Sequence, residues 1–139
     1  GSSYRIFVGV GCHMGSSTYY TVYVKFRNQT QQFPNASTYS SLPPLYEFQV
    51  FLRDGMSCPP LPLNFTVVDA YSEGNSTFVR HLAINDVVFE VNCTAPWDLE
   101  YKGYYYQVFF ELWIYDFDTE NFRYHNRFVG IWLNVTLQS

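Results

Sequence analysis

Charge is what this chain has least of. Only 14% of its 139 residues are Asp, Glu, Lys or Arg, against about 25% in ordinary soluble domains. The eight Lys and Arg are scattered singly, and twelve acids leave a net charge of −4. That excludes a basic face for nucleic acid. Long apolar runs are also missing. None reaches the roughly 18 residues of a spanning helix, so no membrane span is expected within the chain. The opening "GSSYRIFVGVG" carries neither a basic segment nor a cleavage-site pattern. Any export signal is therefore expected to be gone, with any anchor outside these residues.

Chemistry-bearing motifs are equally scarce. There is no C-x-x-C, so zinc and thioredoxin-type chemistry have no support. There is no G-x-S-x-G, no H-E-x-x-H and no phosphate loop. The three histidines, His13, His81 and His125, lie far apart without metal-ligand spacing. The acids of "DFDTEN" (Asp116, Asp118, Glu120) alternate like oxygen ligands but lack the Gly and terminal acid of a calcium loop. They read as a solvated hairpin tip. Glu47 and Glu111, on strands expected to be adjacent, are one pair of carboxylates that folding could bring together. No catalytic residue, metal ligand or cofactor is assigned, and the chain is expected not to be an enzyme.

Cysteine is sparse too: Cys12, Cys58 and Cys93. An odd count permits at most one internal bridge. Cys58–Cys93 is the expected pair, closing a loop of about 35 residues. The alternative is three buried free thiols.

What the chain has instead is aromatics, at 21%, and asparagine in one pattern. Six Asn stand in N-x-[ST] acceptor motifs: Asn28, Asn35, Asn64, Asn75, Asn92 and Asn134. Ser and Thr are about a seventh of the residues, so chance predicts roughly one such match among the asparagines. These six are the expected N-glycosylation sites, and they put the chain outside the cytoplasm, at a cell surface.

Alternation governs the rest. In "TYYTVYVKF", Tyr20, Val22, Val24 and Phe26 share one face, with Tyr19, Thr21, Tyr23 and Lys25 opposite. "YEFQVFLR" alternates likewise, and "AINDVVFEVN" reads as a hairpin turning at Asn85–Asp86. In "YYYQVFFELWIY", Tyr104, Tyr106, Val108, Phe110, Leu112 and Ile114 oppose Tyr105, Gln107, Phe109, Glu111, Trp113 and Tyr115. Period two marks strands. In the last segment Val129, Ile131, Leu133, Val135 and Leu137 share the inner face. Phe128, Trp132 and Asn134 share the outer one, since an acceptor Asn must reach solvent. About seven to nine strands in one domain (1–139) predict an all-β, two-sheet antiparallel sandwich, immunoglobulin-like in the broad sense. Residues 27–44 are too long for a turn and read as a surface excursion.

"YYTVYVKFRNQTQ", "SSLPPLYEFQVFLRDG", "LNFTV", "YYYQVFFELWIY" and "YHNRFVGIWLNVT" resemble the extracellular C-terminal domain of an uncharacterised archaeal membrane-protein family of unknown function, DUF1616. The resemblance covers most of the chain. It implies a β-rich, glycosylated domain on a thermoacidophilic archaeal surface, normally preceded by membrane helices that this sequence lacks. It transfers no catalytic residue.

"YRIFVGV" sets Tyr4, Ile6, Val8 and Val10 against Arg5, Phe7 and Gly9. This is either an ordinary first strand or, within residues 1–11, a strand donated to the next subunit, with "GCHMGSST" as the hinge. The expected role is therefore structural or adhesive, a filament subunit associating with itself or with other surface proteins. The alternative is an extracytoplasmic ligand- or carbohydrate-binding module using exposed rings such as Tyr19, Tyr23, Tyr105, Trp113 and Trp132. Otherwise those rings simply lie covered by loops and glycans.

Overall fold

The computed structural model describes residues 3–12, 14–31 and 33–136. These hold eight strands: β1 (Ser3–Val8), β2 (Thr18–Asn28), β3 (Tyr46–Leu52), β4 (Leu61–Glu73), β5 (Ser76–Ile84), β6 (Val87–Pro96), β7 (Tyr105–Asp116) and β8 (Asn121–Asn134). They form two four-stranded sheets, ordered β1-β4-β5-β6 and β3-β2-β7-β8. Every neighbouring pair is antiparallel. The result is an all-β, two-sheet antiparallel sandwich.

The expected inner faces make the core. Tyr20, Val22, Val24 and Phe26 of β2 and Tyr106, Val108, Phe110 and Ile114 of β7 meet Leu63, Phe65, Val79, Leu82 and Ile84 of the facing sheet. Burying each such side chain stabilises the fold by about 1.5–3 kcal/mol. Tyr106 ties the layers together. Its ring stacks on Phe26 at 5.3 Å, and its hydroxyl donates to the Thr77 carbonyl at 2.9 Å in the other sheet. Burial pushes this phenol up to about 12. The β5–β6 turn forms at Asn85 and Asp86, with φ of 48° and 69°. Both residues tolerate the left-handed region that a two-residue hairpin demands.

The second face of β7, open to either an exposed or a covered reading, is covered at its centre: Gln107 is 3% exposed and Phe109 and Glu111 are 0% exposed. The excursion between β2 and β3 lies across this face and buries it. Phe33 packs edge-on against Phe109 and Phe128, and Tyr39 against Trp113 and Tyr124. The sandwich thus has a third, partial layer made of loop.

On β8, Leu133 and Val135 are buried while Trp132 and Asn134 are exposed, as the acceptor argument required. Val129 shares the inner face but is 60% exposed, because it borders the open seam between β8 and residues 8–11. Leu137 and His13 lie outside the described residues.

Candidate functional site

Beneath the loop layer sits a buried polar cluster. Lys25 Nζ lies 2.7 Å from Glu111 Oε1, with both side chains almost wholly enclosed. Lys25 also donates to the Ser40 carbonyl at 2.7 Å, and the Ser40 N–H donates to Glu111 Oε2 at 2.7 Å. Trp113 Nε1 donates to Glu111 Oε1 at 3.3 Å. A buried ion pair holds only when its remaining hydrogen-bonding capacity is met, and the loop residue Ser40 meets it. Tyr39 completes the cover, with Lys25 Nζ 5.6 Å from its ring centre. The pair therefore clamps the excursion onto the sheet. It is a clasp rather than a reactive centre.

A second clasp lies further along β2. Arg27 Nε donates to Gln107 Oε1 at 2.7 Å, and Nη1 donates to the carbonyls of Asn28 and Gln31. Its guanidinium rests over Phe33 at 4.6 Å and Trp132 at 4.8 Å. Burial pulls its pKa below the ordinary value. Gln107 fits because Gly130, diagonally across on β8 where it pairs with Phe109, lacks a side chain; a Cβ there would fall 2.3 Å from Gln107 Nε2.

Of the six acceptor asparagines, Asn35, Asn64, Asn75, Asn92 and Asn134 are exposed. Asn28 departs from the expectation of an outward acceptor. It is half-buried, its Nδ2 donates to the Thr94 carbonyl at 2.6 Å, and its Oδ1 accepts from the N–H groups of Thr30 and Gln31. The amide nitrogen that would carry sugar is thus holding β2 to β6.

The expected Cys58–Cys93 bridge is absent, and all three cysteines are free. Topology explains why. Cys58 precedes Leu61 at the start of β4 and bonds to the Val10 carbonyl, whereas Cys93 pairs with Val79, itself paired with Ala70. From Leu61 to Ala70 is about 30 Å of strand, against a limit of about 7 Å between bridged Cα atoms. Burial raises the Cys93 thiol to about 11.

Tyr4, Ile6 and Val8 lie along β4 of their own chain, Tyr4 stacked on Phe65 at 5.2 Å. β1 therefore completes its own sheet as an edge strand. The "GCHMGSST" hinge does not begin where expected. Val10 and Cys12 are buried, and Gly11 and Cys12 are held against Ser57 and Met56. Gly9, just past the end of β1, is exposed, and a Cβ there would meet nothing within 4 Å. Comparison with family models, curated proteins and solved structures gives no match.

Glu47 and Glu111 do not meet. β2 runs between their strands, and both flank Tyr23, while Glu111 is spent on Lys25. In "DFDTEN", Asp116 Oδ1 accepts the Asp118 N–H and Oδ2 faces Arg123 at 3.6 Å. No group of three potential metal ligands occurs among the described residues. His81 faces Asp69 at 3.2 Å on the surface. His125 lies beside the Tyr20 ring, its pKa lowered by burial and by Arg127 and Arg123. Sequence reasoning missed the two clasps. Their signal was opposite or complementary polar residues, Lys25 and Arg27 against Gln107 and Glu111, on strands otherwise full of aromatics.

Proposed function

We propose that the chain is a non-enzymatic, N-glycosylated archaeal cell-surface protein with a structural or adhesive role, whose subunits join by exchanging β1. The archaeal setting comes from the family resemblance, and the extracellular setting from the six acceptor motifs. The observation that carries the assembly reading is how the four sheet edges differ. β6 and β8 each contain a register shift with an Asn at positive φ (Asn92, 44°; Asn126, 60°), and each carries an acceptor motif, at Asn92 and Asn134. Bulges and attached sugar both block strand addition. β1 and β3 pair in unbroken register and carry no acceptor motif. Each of these two touches a single neighbour, but β1 buries none of its residues whereas β3 buries Val50 and Leu52 in the core. Swinging β1 out at Gly9 exposes the β4 edge to the same segment of a neighbouring subunit, which would re-form the same register.

Sedimentation of the full chain against a version lacking residues 1–8 tests this. The full chain should form concentration-dependent oligomers. The truncated chain should stay monomeric and bind a "SYRIFV" peptide with one-to-one stoichiometry. A full chain that remains monomeric at every concentration and pH, with a truncated chain that ignores the peptide, overturns the proposal.

A further inference from the structure

Away from β1, at the opposite side of β8, lies a hollow of about 590 Å³ lined by Gln29, Asp98, Tyr101, Tyr105 and Trp132. Its size falls within the range of small-ligand sites. Its parts are held in place. Residues 98–103 form a closed loop through the Asp98 N–H to Gly103 carbonyl and Lys102 N–H to Asp98 carbonyl bonds. Asp98 Oδ1 accepts the N–H groups of Glu100 and Tyr101. The Tyr105 hydroxyl then donates to the Tyr101 carbonyl at 2.7 Å, and the two rings meet edge to face. Trp132 is half exposed, its ring within 4.8 Å of the Arg27 guanidinium.

The hollow's carboxylate asks for a donor. Gln29 Nε2 donates to the Pro96 carbonyl at 3.1 Å, which fixes the amide and turns Oε1 the other way. That oxygen is buried, closed off from the hollow. The second carboxylate oxygen of Asp98 is left as the acceptor. Three aromatic rings with an acceptor beside them suit either a cation or the C–H face and hydroxyls of a sugar. Arg27 decides between them. Its guanidinium contacts the Trp132 ring and is bonded only to neutral carbonyl groups, so its charge repels a second cation there.

We propose that this hollow binds a pyranose ring of a neutral saccharide, stacked on Trp132 and Tyr101 with hydroxyls donated to Asp98. The sugar has two sources: an exogenous polysaccharide, or the chain's own glycan at Asn134, which pairs directly with Tyr105 across β7 and β8. This inference is independent of β1 exchange.

Calorimetric titration with mannobiose, cellobiose and chitobiose tests it, using the full chain prepared with and without N-glycans. At least one probe should saturate the glycan-free chain. Tyr101→Ala, at a ring 67% exposed, and Trp132→Ala should each weaken binding tenfold or more with the fold intact by circular dichroism. Tetramethylammonium should not displace the probe. Equal binding by both preparations assigns the site to exogenous saccharide. Binding only by the glycan-free chain assigns it to the chain's own sugar. No saturation by any probe in the glycan-free chain overturns the proposal. So does binding unchanged in both variants, or displacement by tetramethylammonium.

Discussion

Glu111→Gln is the sharpest probe of the loop layer. The substitution keeps shape and volume but removes the charge facing Lys25, whose side chain is 4% exposed. The ammonium then has the Ser40 carbonyl and one amide oxygen in place of a carboxylate. Removing one partner of a buried pair costs about 3–5 kcal/mol. The retained amide oxygen puts the expected loss near the lower end, about 3 kcal/mol. For a chain of this length that lowers Tm by about 10 °C, and a domain of ordinary stability still folds. Urea unfolding followed by tryptophan fluorescence measures it, with Trp113 as the local reporter because its indole bonds to Glu111. The double variant Lys25→Met with Glu111→Gln separates charge burial from simple packing. Without the ammonium, the Gln amide is free to accept the Ser40 N–H and donate to the Ser40 carbonyl. Stability should return to within about 1 kcal/mol of the parent. A loss below about 1 kcal/mol in Glu111→Gln refutes the clasp. So does a double variant no more stable than the single one.

Gly130→Ala should cost about 1–3 kcal/mol by overpacking, because the new Cβ would lie 2.7 Å from Gln107 Cδ and Gln107 is held by Arg27. At Gly103→Ala the nearest atoms belong to the side chain of the exposed Asn134, which can shift, so the cost should be less than half as much in the same urea assay. Stability should fall at alkaline pH. Burial raises Tyr20 and Tyr106 from 10 to about 12, and Cys93 from 9 to about 11. The folded chain therefore binds more protons than the unfolded one across this window, so stability is full below about pH 9 and drains away towards pH 12. Unfolding and tyrosinate absorbance should rise together, and tyrosine ionisation without unfolding would contradict this. Mass-spectrometric mapping should find sugar at Asn35, Asn64, Asn75, Asn92 and Asn134 but not at Asn28. An occupied Asn28 in folded protein would show that its bond to Thr94 is dispensable.

The alternation of β2, β7 and β8 was legible because a pleated strand sorts side chains by parity, and the Asn85–Asp86 turn because few residue pairs tolerate positive φ. What parity does not disclose is what covers the second face. Whether Gln107 and Glu111 face solvent or lie covered is settled only by a loop from elsewhere in the chain, which brings Phe33, Tyr39 and Ser40 onto this face. The cysteine pairing failed for a related reason. Both thiols follow strand-like segments in sequence, but their ends are set by sheet order, which local pattern does not encode. The hollow around Trp132 was half visible. Tyr105 and Trp132 stood out as outward rings, whereas Asp98 and Tyr101 belong to a short loop whose closure is decided by backbone bonds.

The scarcity of charge becomes more pointed once the fold is known. Lys25, Arg27 and Glu111 are all buried, so the surface is poorer in charge than the composition suggests. Exposed apolar side chains such as Phe7, Phe51, Val88, Leu99 and Phe117 remain on it. A surface of this kind ordinarily invites association. Two of the edges that would allow it, β6 and β8, coincide with the positions of Asn92 and Asn134. If sugar stands there, solubility and the choice of edge for assembly have one cause. Removing both acceptors, as Asn92→Gln with Asn134→Gln, should then turn ordered oligomers into disordered aggregates rather than monomers. Unchanged oligomers in that variant would separate the two roles and leave β1 geometry alone to account for the choice of edge.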